Sequence, residues 1–233
     1  MNLNHYFKHI TIIDQSVELK DQLKTDQELA HNLQADTLLI RFWTTEGIIF
    51  GKIDTLLPSY ETGIEKLGLS EDKILVRKSG GLAVVCDSGI LNLSILFSKE
   101  THDISDLNET YTFGVELIRH LLKDLNLDID EGEISNSYCP GKYDLSVNGK
   151  KFSGMAQYRT KNTIMLMVTL CINGDQQKRC QMIKDFYDTS NINHDPKYPQ
   201  IRMNSMETLS TLSSKYLTVE SIKDNMIKIL NQI

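Results

Sequence analysis

Cys139 is the residue of this sequence whose surroundings best suit nucleophilic chemistry. It stands in the polar turn "NSYCPGK", just before a Pro-Gly pair, where burial in a core is not expected. Lys142, Lys150 and Lys151 follow closely, and a nearby ammonium group favours the reactive thiolate form of a cysteine. An exposed cysteine without a chemical role fits the same composition equally well. The local sequence therefore leaves both interpretations open.

The other cysteines lack such surroundings. Cys171 lies in the apolar run "IMLMVTLCI" and is predicted to belong to the core, and Cys180 lies in a predicted helix with no activating group around it. Cys86 is followed by Asp87, whose carboxylate disfavours a thiolate. No Cys-x-x-Cys pair occurs and no histidine stands at metal-ligand spacing, so no metal site is predicted.

Two adjacent lysines begin the segment that follows the cysteine turn. If residues 150–159 form a strand, Lys150 and Lys151 face opposite sides, because side chains alternate along a strand. Only one of them can then face a pocket, and solvated turn charge is the alternative for both. The small residues Ser153 and Gly154 just beyond could leave room for a ligand chain.

A second candidate for ligand contact is the segment "VRKSGGLAVV", residues 76–85. The adjacent glycines Gly80 and Gly81 allow a backbone to approach a ligand closely and to point N–H groups at it. A flexible turn between strands is the commoner explanation of such a pair by itself. Arg77, just before it, favours a ligand-facing loop.

Hydrophobic patterning predicts the elements that must position these residues. Strands are expected at 37–45, 47–53, 74–80, 82–85, 90–98, 143–148, 150–159 and 163–173, and Asn148-Gly149 predicts a tight hairpin. Helices are expected at 16–34, 59–69, 109–126, 175–191, 205–214 and 218–231. The mixture predicts an α+β fold, a single catalytic domain with a mixed, largely antiparallel β-sheet flanked by helices.

The composition of the chain limits the classes of partner that it is expected to bind. The 233 residues include 31 acidic and 25 basic side chains, a formal net charge of −6 that argues against nucleic acid as the main partner. No run approaches the roughly 20 apolar residues that span a bilayer, and the first residues do not resemble a signal peptide. We therefore expect no membrane partner and a cytoplasmic location.

Three segments together resemble the lipoate–protein ligase and octanoyltransferase superfamily. "VRKSGGLAVVCDSGILNLS" is similar to its Arg-Arg-Ser-Gly-Gly-Gly-Ala-Val-x-His-Asp block, and "GKYDLSVNGKKFSGMAQYR" is similar to its Gly-x-x-Asp-Leu block followed by Gly-Lys-Lys-x-x-Gly-x-Ala-Gln-x-Arg. "RFWTTEGIIFGKID" resembles its N-terminal Arg-x-Trp segment. The match runs over about residues 35–210 with order and spacing kept, which makes it far more specific than any single motif.

Within the superfamily, "SYCPG" and the Ser-Gly-Gly-Leu variant look like the lipoyl amidotransferase branch. Leu82 stands where the family has a third glycine and Cys86 where it has a histidine, and both departures count against adenylate binding of the ligase type. The resemblance implies a fold like that of the biotin and lipoate ligases. We further predict that residues 1–34 form an N-terminal segment and helix packed on the domain, that 35–217 form the acyltransferase domain, and that 218–233 form a C-terminal helix of the same domain.

The resemblance also implies an activity and its residues. Octanoyl or lipoyl would move from the glycine cleavage H protein to lipoyl domains of oxo-acid dehydrogenase complexes, with no cofactor. Cys139 would carry the acyl group as a thioester and Lys151 would stabilise the thiolate and the oxyanion. The predicted acyl-binding residues are Arg77, Ser79, Gly80, Gly81 and Gly154. Alternatives are an acyl carrier protein as donor, an ATP-dependent lipoate ligase, and a non-catalytic module that binds acylated proteins.

Overall fold

The computed structural model describes residues 1–101 and 103–232. Two residues of the sequence predictions lie outside these ranges: His102, for which no metal binding was expected, and Ile233, the last residue of the predicted C-terminal helix. The strands are β1 His9–Asp14, β2 Thr37–Trp43, β3 Gly47–Gly51, β4 Ile74–Arg77, β5 Val84–Cys86, β6 Ile90–Ser98, β7 Asp130–Glu131, β8 Leu145–Val147, β9 Lys150–Arg159 and β10 Thr163–Cys171. The helices are α1 Gln22–His31, α2 Tyr60–Leu67, α3 Leu107–Leu121, α4 Gln176–Ser190, α5 Leu209–Ser213 and α6 Val219–Leu230. Short 3-10 helices cover Leu3–His5, Leu19–Asp21, Asp54–Leu56, Glu71–Lys73, Lys123–Leu125 and Met203–Ser205.

The larger sheet has the strand order β1-β2-β6-β10-β9-β8-β7. Its pairs are antiparallel apart from β1 with β2, which run parallel. Asn148 and Gly149 both have positive φ, +51° and +71°, and close the β8–β9 hairpin as their types predict. This hairpin places Lys151 one strand away from the turn that carries Cys139.

A smaller sheet, in the order β4-β3-β5, lies beside the larger one. β3 runs parallel to β4 and antiparallel to β5. Because β4 ends at Arg77 and β5 begins at Val84, the glycine-rich segment becomes the loop 78–83 that joins two edge strands of this sheet. The loop is therefore fixed at both ends, with Lys78, Gly80 and Gly81 exposed and with Ser79, Leu82 and Ala83 buried.

Two large apolar clusters hold the sheets in the described residues, and a smaller third one packs α1 on the larger sheet through Ala30, Leu39 and Met165. Of the large clusters, one packs α3 and α6 on the larger sheet, for example through Leu117, Ile118 and Met226, and the other packs α2 and α4 against the smaller sheet through Phe50 and Phe186. The helices form where the apolar spacing predicts them. α3 is fixed at its start by a capping box, in which the Asp106 side chain accepts a hydrogen bond from the backbone.

The predicted α+β class is confirmed, with several differences in detail, among them the helix expected at 16–34, which is the shorter α1. The strands form two sheets within the described residues, and residues 9–14 add an edge strand that the sequence analysis did not predict. The helix expected at 205–214 is shorter, Leu209–Ser213, because Met206 and Glu207 run extended beside Lys151. The strand expected at 74–80 ends at Arg77, where the glycine loop begins.

Candidate active site

Cys139 occupies a tight turn between β7 and β8. Its φ of +48° lies in the left-handed region, which is uncommon for a residue with a side chain. The turn is closed just beyond it, where the Gly141 N–H donates to Asp144 Oδ2 (3.0 Å) and the Asp144 N–H donates to the Gly141 carbonyl (3.0 Å). This unusual backbone conformation is thus fixed by hydrogen bonds and leaves the Cys139 side chain half-buried.

The sulfur of Cys139 faces the glycine loop. The Leu82 N–H donates to Cys139 Sγ at 3.1 Å, and Arg77 Nη2 lies 3.5 Å from the same sulfur while donating to the Leu82 carbonyl at 2.8 Å. Gly81 has φ +93°, and a Cβ there would lie 2.4 Å from Arg77 Nη2 and 3.2 Å from the sulfur. Only glycine therefore allows this close approach. A backbone N–H and a guanidinium are both suited to stabilise a thiolate.

Lys151 supports the cysteine turn from the opposite side. Its Nζ is buried and lies 2.9 Å from Asp144 Oδ1, and it donates to the carbonyl oxygens of Cys139 (2.6 Å) and Tyr138 (3.3 Å). Burial raises the pKa of Asp144, although the Lys151 ammonium opposes this shift. These three acceptors match the three N–H donors of an ammonium group. In this arrangement Lys151 holds the two backbone carbonyls that flank the Cys139 Cα.

The two neighbouring lysines have different environments, as strand alternation predicts. Lys151 is 2% exposed and faces the cysteine turn, whereas Lys150 is partly exposed and donates to the Asn204 carbonyl. A register shift in the β8–β9 pairing lies next to them, because Leu145 pairs with Ser153 and Ser146 with Lys151. β-bulges often re-aim a side chain near a functional site.

A cavity of about 210 Å³ opens beside Cys139. It brings together most of the residues that the sequence singled out, namely Arg77, Gly80, Gly81, Cys139, Lys151 and Gly154. Its other walls are largely apolar and come from Val84, Tyr111, Tyr138, Pro140, Met155, Ala156, Met167, Cys171 and Met206, together with Gly141, Ser153 and Thr169. An apolar cavity with a few polar groups at one end suits a short acyl chain that ends in a carbonyl.

Ser79 is the predicted acyl-binding residue that does not line the cavity beside Cys139. It is buried beside a much smaller cavity of about 20 Å³, with Asp26, Tyr158 and Met165 among its walls. Its hydroxyl makes no hydrogen bond to the described residues. Met167 lines both this cavity and the larger one, so Ser79 stands behind the site rather than beside Cys139.

The remaining cysteines are poor nucleophiles. Burial raises the pKa of Cys86 to about 12, and it raises the pKa values of Cys171 and Cys180 to about 11. For Cys86 the expected effect of Asp87 is present but is smaller than that of burial. Cys180 was predicted to be an incidental helix residue, and the structure buries it fully in the core between α4 and the smaller sheet.

Asp144 is the site residue that the sequence analysis did not name. Its position in the Gly-x-x-Asp-Leu segment was noticed, but its role as the partner of Lys151 was not. The available signal was a carboxylate at the start of an apolar strand, because a buried charge requires a counter-charge. The methionines of the cavity, Met155, Met167 and Met206, come from β9, β10 and the segment before α5, and no local pattern joins them.

Residues 1–101 and 103–232 contain no cluster of histidine, cysteine and carboxylate side chains suited to hold a metal ion. In the same residues no helix is both long enough and apolar enough to cross a bilayer.

Comparison of the sequence with known proteins identifies the family to which the chain belongs. Residues 18–231 match the family described as the lipoyl protein ligase A/B catalytic domain. An octanoyl-[GcvH]:protein N-octanoyltransferase from Lysinibacillus sphaericus is 39% identical over 83% of this chain and 70% of its own length. A lipoyl-[GcvH]:protein N-lipoyltransferase from Listeria monocytogenes is 34% identical over 96% of this chain and 81% of its own length.

The fold agrees with that match. A lipoate protein ligase structure from Thermoplasma acidophilum aligns with a TM-score of 0.68 over 96% of this chain and 83% of that chain, at 17% identity. At that identity the likeness shows the fold alone. The chain belongs to the lipoyl protein ligase A/B catalytic domain family, and the relatives that match most of its length identify it as an acyltransferase of that family.

Proposed function

We propose that this chain transfers an octanoyl group from the glycine cleavage H protein to the lipoyl domains of oxo-acid dehydrogenase complexes, through a thioester on Cys139. The names of the relatives support the donor and the transferred group. The observation that carries the cysteine route is the Cys139 sulfur itself, which stands at the wall of an apolar cavity and accepts a hydrogen bond from the Leu82 N–H at 3.1 Å.

The reaction would proceed as two acyl transfers. The Cys139 sulfur attacks the carbonyl carbon of the octanoyl-lysine amide, the C–S bond forms, and the C–N bond breaks. The thiol proton ends on the departing lysine amine. A lysine amine of the acceptor then attacks the thioester, loses a proton and restores an amide, while the thiol is regenerated.

The energetics of the first transfer require help from the cavity, because a thioester is less stable than an amide. Burying the octanoyl chain against Val84, Met155, Ala156, Met167 and Met206 would contribute roughly 0.8 kcal/mol per methylene, several kcal/mol in all. Since the complete reaction exchanges one amide for another, it needs no ATP.

The roles of the surrounding residues follow from their contacts. Arg77 and the Leu82 N–H would stabilise the thiolate before attack. The three N–H donors of Lys151 are taken by Asp144 and by the Tyr138 and Cys139 carbonyls, so Lys151 is proposed to stabilise the developing charge on the reacting groups through its positive charge while it holds the turn. Gly80, Gly81 and Gly154 leave space for the acyl-lysine arm, and Ser79 would act from behind the loop.

Intact-mass analysis tests the proposal directly. We expect the enzyme to gain one octanoyl mass when mixed with octanoyl-H protein without nucleotide, and hydroxylamine should remove it. Cys139→Ala should gain nothing, whereas Cys86→Ala, which changes a buried thiol, should be labelled like the wild type. Labelling at Cys86, or a strict requirement for octanoate and ATP, would overturn the cysteine route.

A lipoyl group is the second candidate cargo, because one of the relatives is named a lipoyltransferase. Methionine side chains are unbranched and polarisable, so they adapt to ligands of different shape. Octanoyl-H protein and lipoyl-H protein compared at equal concentration in the same mass assay would rank the two cargoes.

A further inference from the structure

Behind the loop that faces Cys139 lies a buried pair, Asp54 and Tyr187. Asp54 is fully buried in the 3-10 helix that follows β3, and Tyr187 is buried in α4. The Tyr187 hydroxyl donates to Asp54 Oδ1 at 2.8 Å, and the Gly51 N–H donates to Asp54 Oδ2 at 2.8 Å. The carboxylate thus joins the end of β3 to α4.

The same tyrosine contacts the glycine loop. The Ala83 N–H donates to the Tyr187 oxygen at 3.1 Å. Since the carboxylate accepts the hydroxyl hydrogen, the lone pairs of the Tyr187 oxygen are free to receive the Ala83 N–H. The order of donors along Ala83, Tyr187 and Asp54 is therefore fixed.

This chain of hydrogen bonds fixes a peptide plane beside the nucleophile. The Leu82–Ala83 peptide is planar and trans, so its carbonyl and its N–H point in opposite directions. Arg77 holds the carbonyl at 2.8 Å, and Tyr187 holds the N–H. The residue between them, Leu82, is the one whose own N–H donates to Cys139 Sγ.

We propose that Tyr187 and Asp54 are positioning residues of the acyl transfer, which hold the Leu82–Ala83 peptide so that the Leu82 N–H points at the Cys139 sulfur. The inference rests on the proposed role of Cys139. Neither residue lines the 210 Å³ cavity, so both act through the loop and not on the substrate.

The buried, ionisable carboxylate of Asp54 supports a positioning role and not a role in packing alone. Burial raises the pKa of Asp54 to about 6, against hydrogen bonds from Tyr187 and Gly51 that lower it. A buried carboxylate is thus kept at a cost in stability, where an apolar residue could fill the same space. Such a cost is expected where a hydrogen-bond direction has to be fixed.

Tyr187→Phe tests the inference, with Tyr198→Phe as its matched control. Both substitutions remove one hydroxyl from neighbouring rings whose centroids are 5.8 Å apart, but the Tyr198 hydroxyl donates to the Ile53 carbonyl and not to the loop. The measurements are the rate of Cys139 alkylation by iodoacetamide at pH 7, the rate of acylation at saturating octanoyl-H protein, the KM for that donor, and Tm.

We expect Tyr187→Phe to slow alkylation and acylation about five- to tenfold, the range for loss of the one neutral hydrogen bond by which the hydroxyl holds the Ala83 N–H, with KM unchanged. Tyr198→Phe should leave both rates within about twofold of the wild type, although its Tm falls similarly. Equal effects of the two variants on the rates, or wild-type rates in Tyr187→Phe, would overturn the inference.

A second variant covers the case in which Tyr187→Phe does not fold. Asp54→Asn keeps the shape of the side chain, but one of its two acceptor oxygens becomes an amide NH2, which cannot accept from the Tyr187 hydroxyl or from the Gly51 N–H. It should also slow alkylation, and wild-type reactivity in this variant would overturn the inference. The alkylation readout needs no acyl donor. A wild-type enzyme that is alkylated normally but never acylated would therefore contradict the proposed function and leave this comparison intact.

Discussion

At the scale of single residues, the four cysteines differ sharply in accessibility. Cys139 is half-exposed, while Cys86, Cys171 and Cys180 are buried and have pKa values raised by that burial to about 11 or 12. We expect iodoacetamide at pH 8 to modify one thiol in the native protein and four in denaturant. The mass of the alkylated protein counts them, and Cys139→Ala should show none in the native state. Native modification of Cys86 would contradict this assignment.

The buried ion pair of Lys151 and Asp144 separates the two adjacent lysines. Removing Lys151 leaves the Asp144 carboxylate buried without a counter-charge, so Lys151→Ala should lower the free energy of unfolding by about 3–5 kcal/mol. Lys150→Ala should change it by less than about 0.5 kcal/mol, because Lys150 lies at the surface. Urea denaturation measures both values, and equal losses would contradict the assigned environments.

A double substitution separates the cost of an unpaired buried charge from the other roles of this pair, which are the Lys151 charge and the hydrogen bonds that hold the Cys139 turn. Lys151→Met with Asp144→Leu removes both charges and keeps much of the volume, which is often neutral for stability. If the Lys151 charge assists the reaction, the double variant should regain stability and still acylate about 10²–10³ times more slowly than the wild type. Recovery of both stability and rate would show that the charge has no chemical role.

At the scale of elements, the local sequence indicated most of the fold. The period of apolar residues predicted α3, α4 and α6, and Asn148-Gly149 predicted the β8–β9 turn, because these signals lie within a few residues of one another. β1 was missed since "HITIID" is short, polar at both ends and becomes a strand only by pairing with β2. The division into two sheets also depends on pairing between strands that are distant in the sequence, so local patterns did not predict it.

The candidate site was indicated in part for the same reason. Cys139 and the glycines could be found from local turn chemistry and family motifs. Lys151 was predicted as well, but its pairing with Asp144 and the pairing of Asp54 with Tyr187 were not, because the partners are 7 and 133 residues apart and meet through the tertiary fold. Ser79 stays a prediction, since its place in the motif suggested a ligand contact and the structure places it beside the smaller cavity behind the loop.

The end of strand β3 sets the position of the glycine loop. A Cβ at Gly51 would lie 1.9 Å from the Gly81 carbonyl oxygen, so Gly51→Ala must displace the loop. We expect acylation of Cys139 to slow at least about tenfold and the free energy of unfolding to fall by about 1–3 kcal/mol, as for other overpacked sites. Single-turnover acylation and urea denaturation measure the two effects.

Gly89→Ala, in the turn before β6, is the matched control. Its Cβ would lie 2.2 Å from the carbonyl oxygen of Asn173, which follows β10. It should destabilise the protein to a similar extent without moving the loop at Cys139. Acylation rates that fall equally in both alanine variants would show that the loss reflects general destabilisation.

At the scale of the whole molecule, contacts join the proposed segments into one unit. β1 pairs with β2 along its length, and α6 contributes Ile222, Met226 and Ile229 to the same core as α3. We therefore propose that residues 1–34, 35–217 and 218–233 unfold together. Thermal unfolding followed by near- and far-ultraviolet circular dichroism should give one coincident transition.

Buried carboxylates also set how the stability of the whole protein depends on pH. The pKa of Asp54 is raised by burial to about 6, from 3.8, so between these values the folded state binds more protons than the unfolded state. The free energy of unfolding contributed by this group is therefore greatest below pH 4 and falls as the pH rises through 6. A difference of about two pKa units corresponds to roughly 3 kcal/mol as an upper limit.

Asp54→Asn isolates this contribution, because Asp26 and Asp144 have pKa values raised in the same direction and stay in both proteins. The free energy of unfolding of the wild type, minus that of Asp54→Asn, should fall by up to about 3 kcal/mol from pH 4 to pH 7. Asp36→Asn serves as control, since this exposed carboxyl has its pKa lowered by Lys8 and should give a small change of opposite sign. If the free energy of unfolding of the wild type minus that of Asp54→Asn is constant or rises from pH 4 to pH 7, the carboxylate is charged at little cost in the folded protein. The hydrogen bonds from Tyr187 and Gly51 would then outweigh the effect of burial on its pKa.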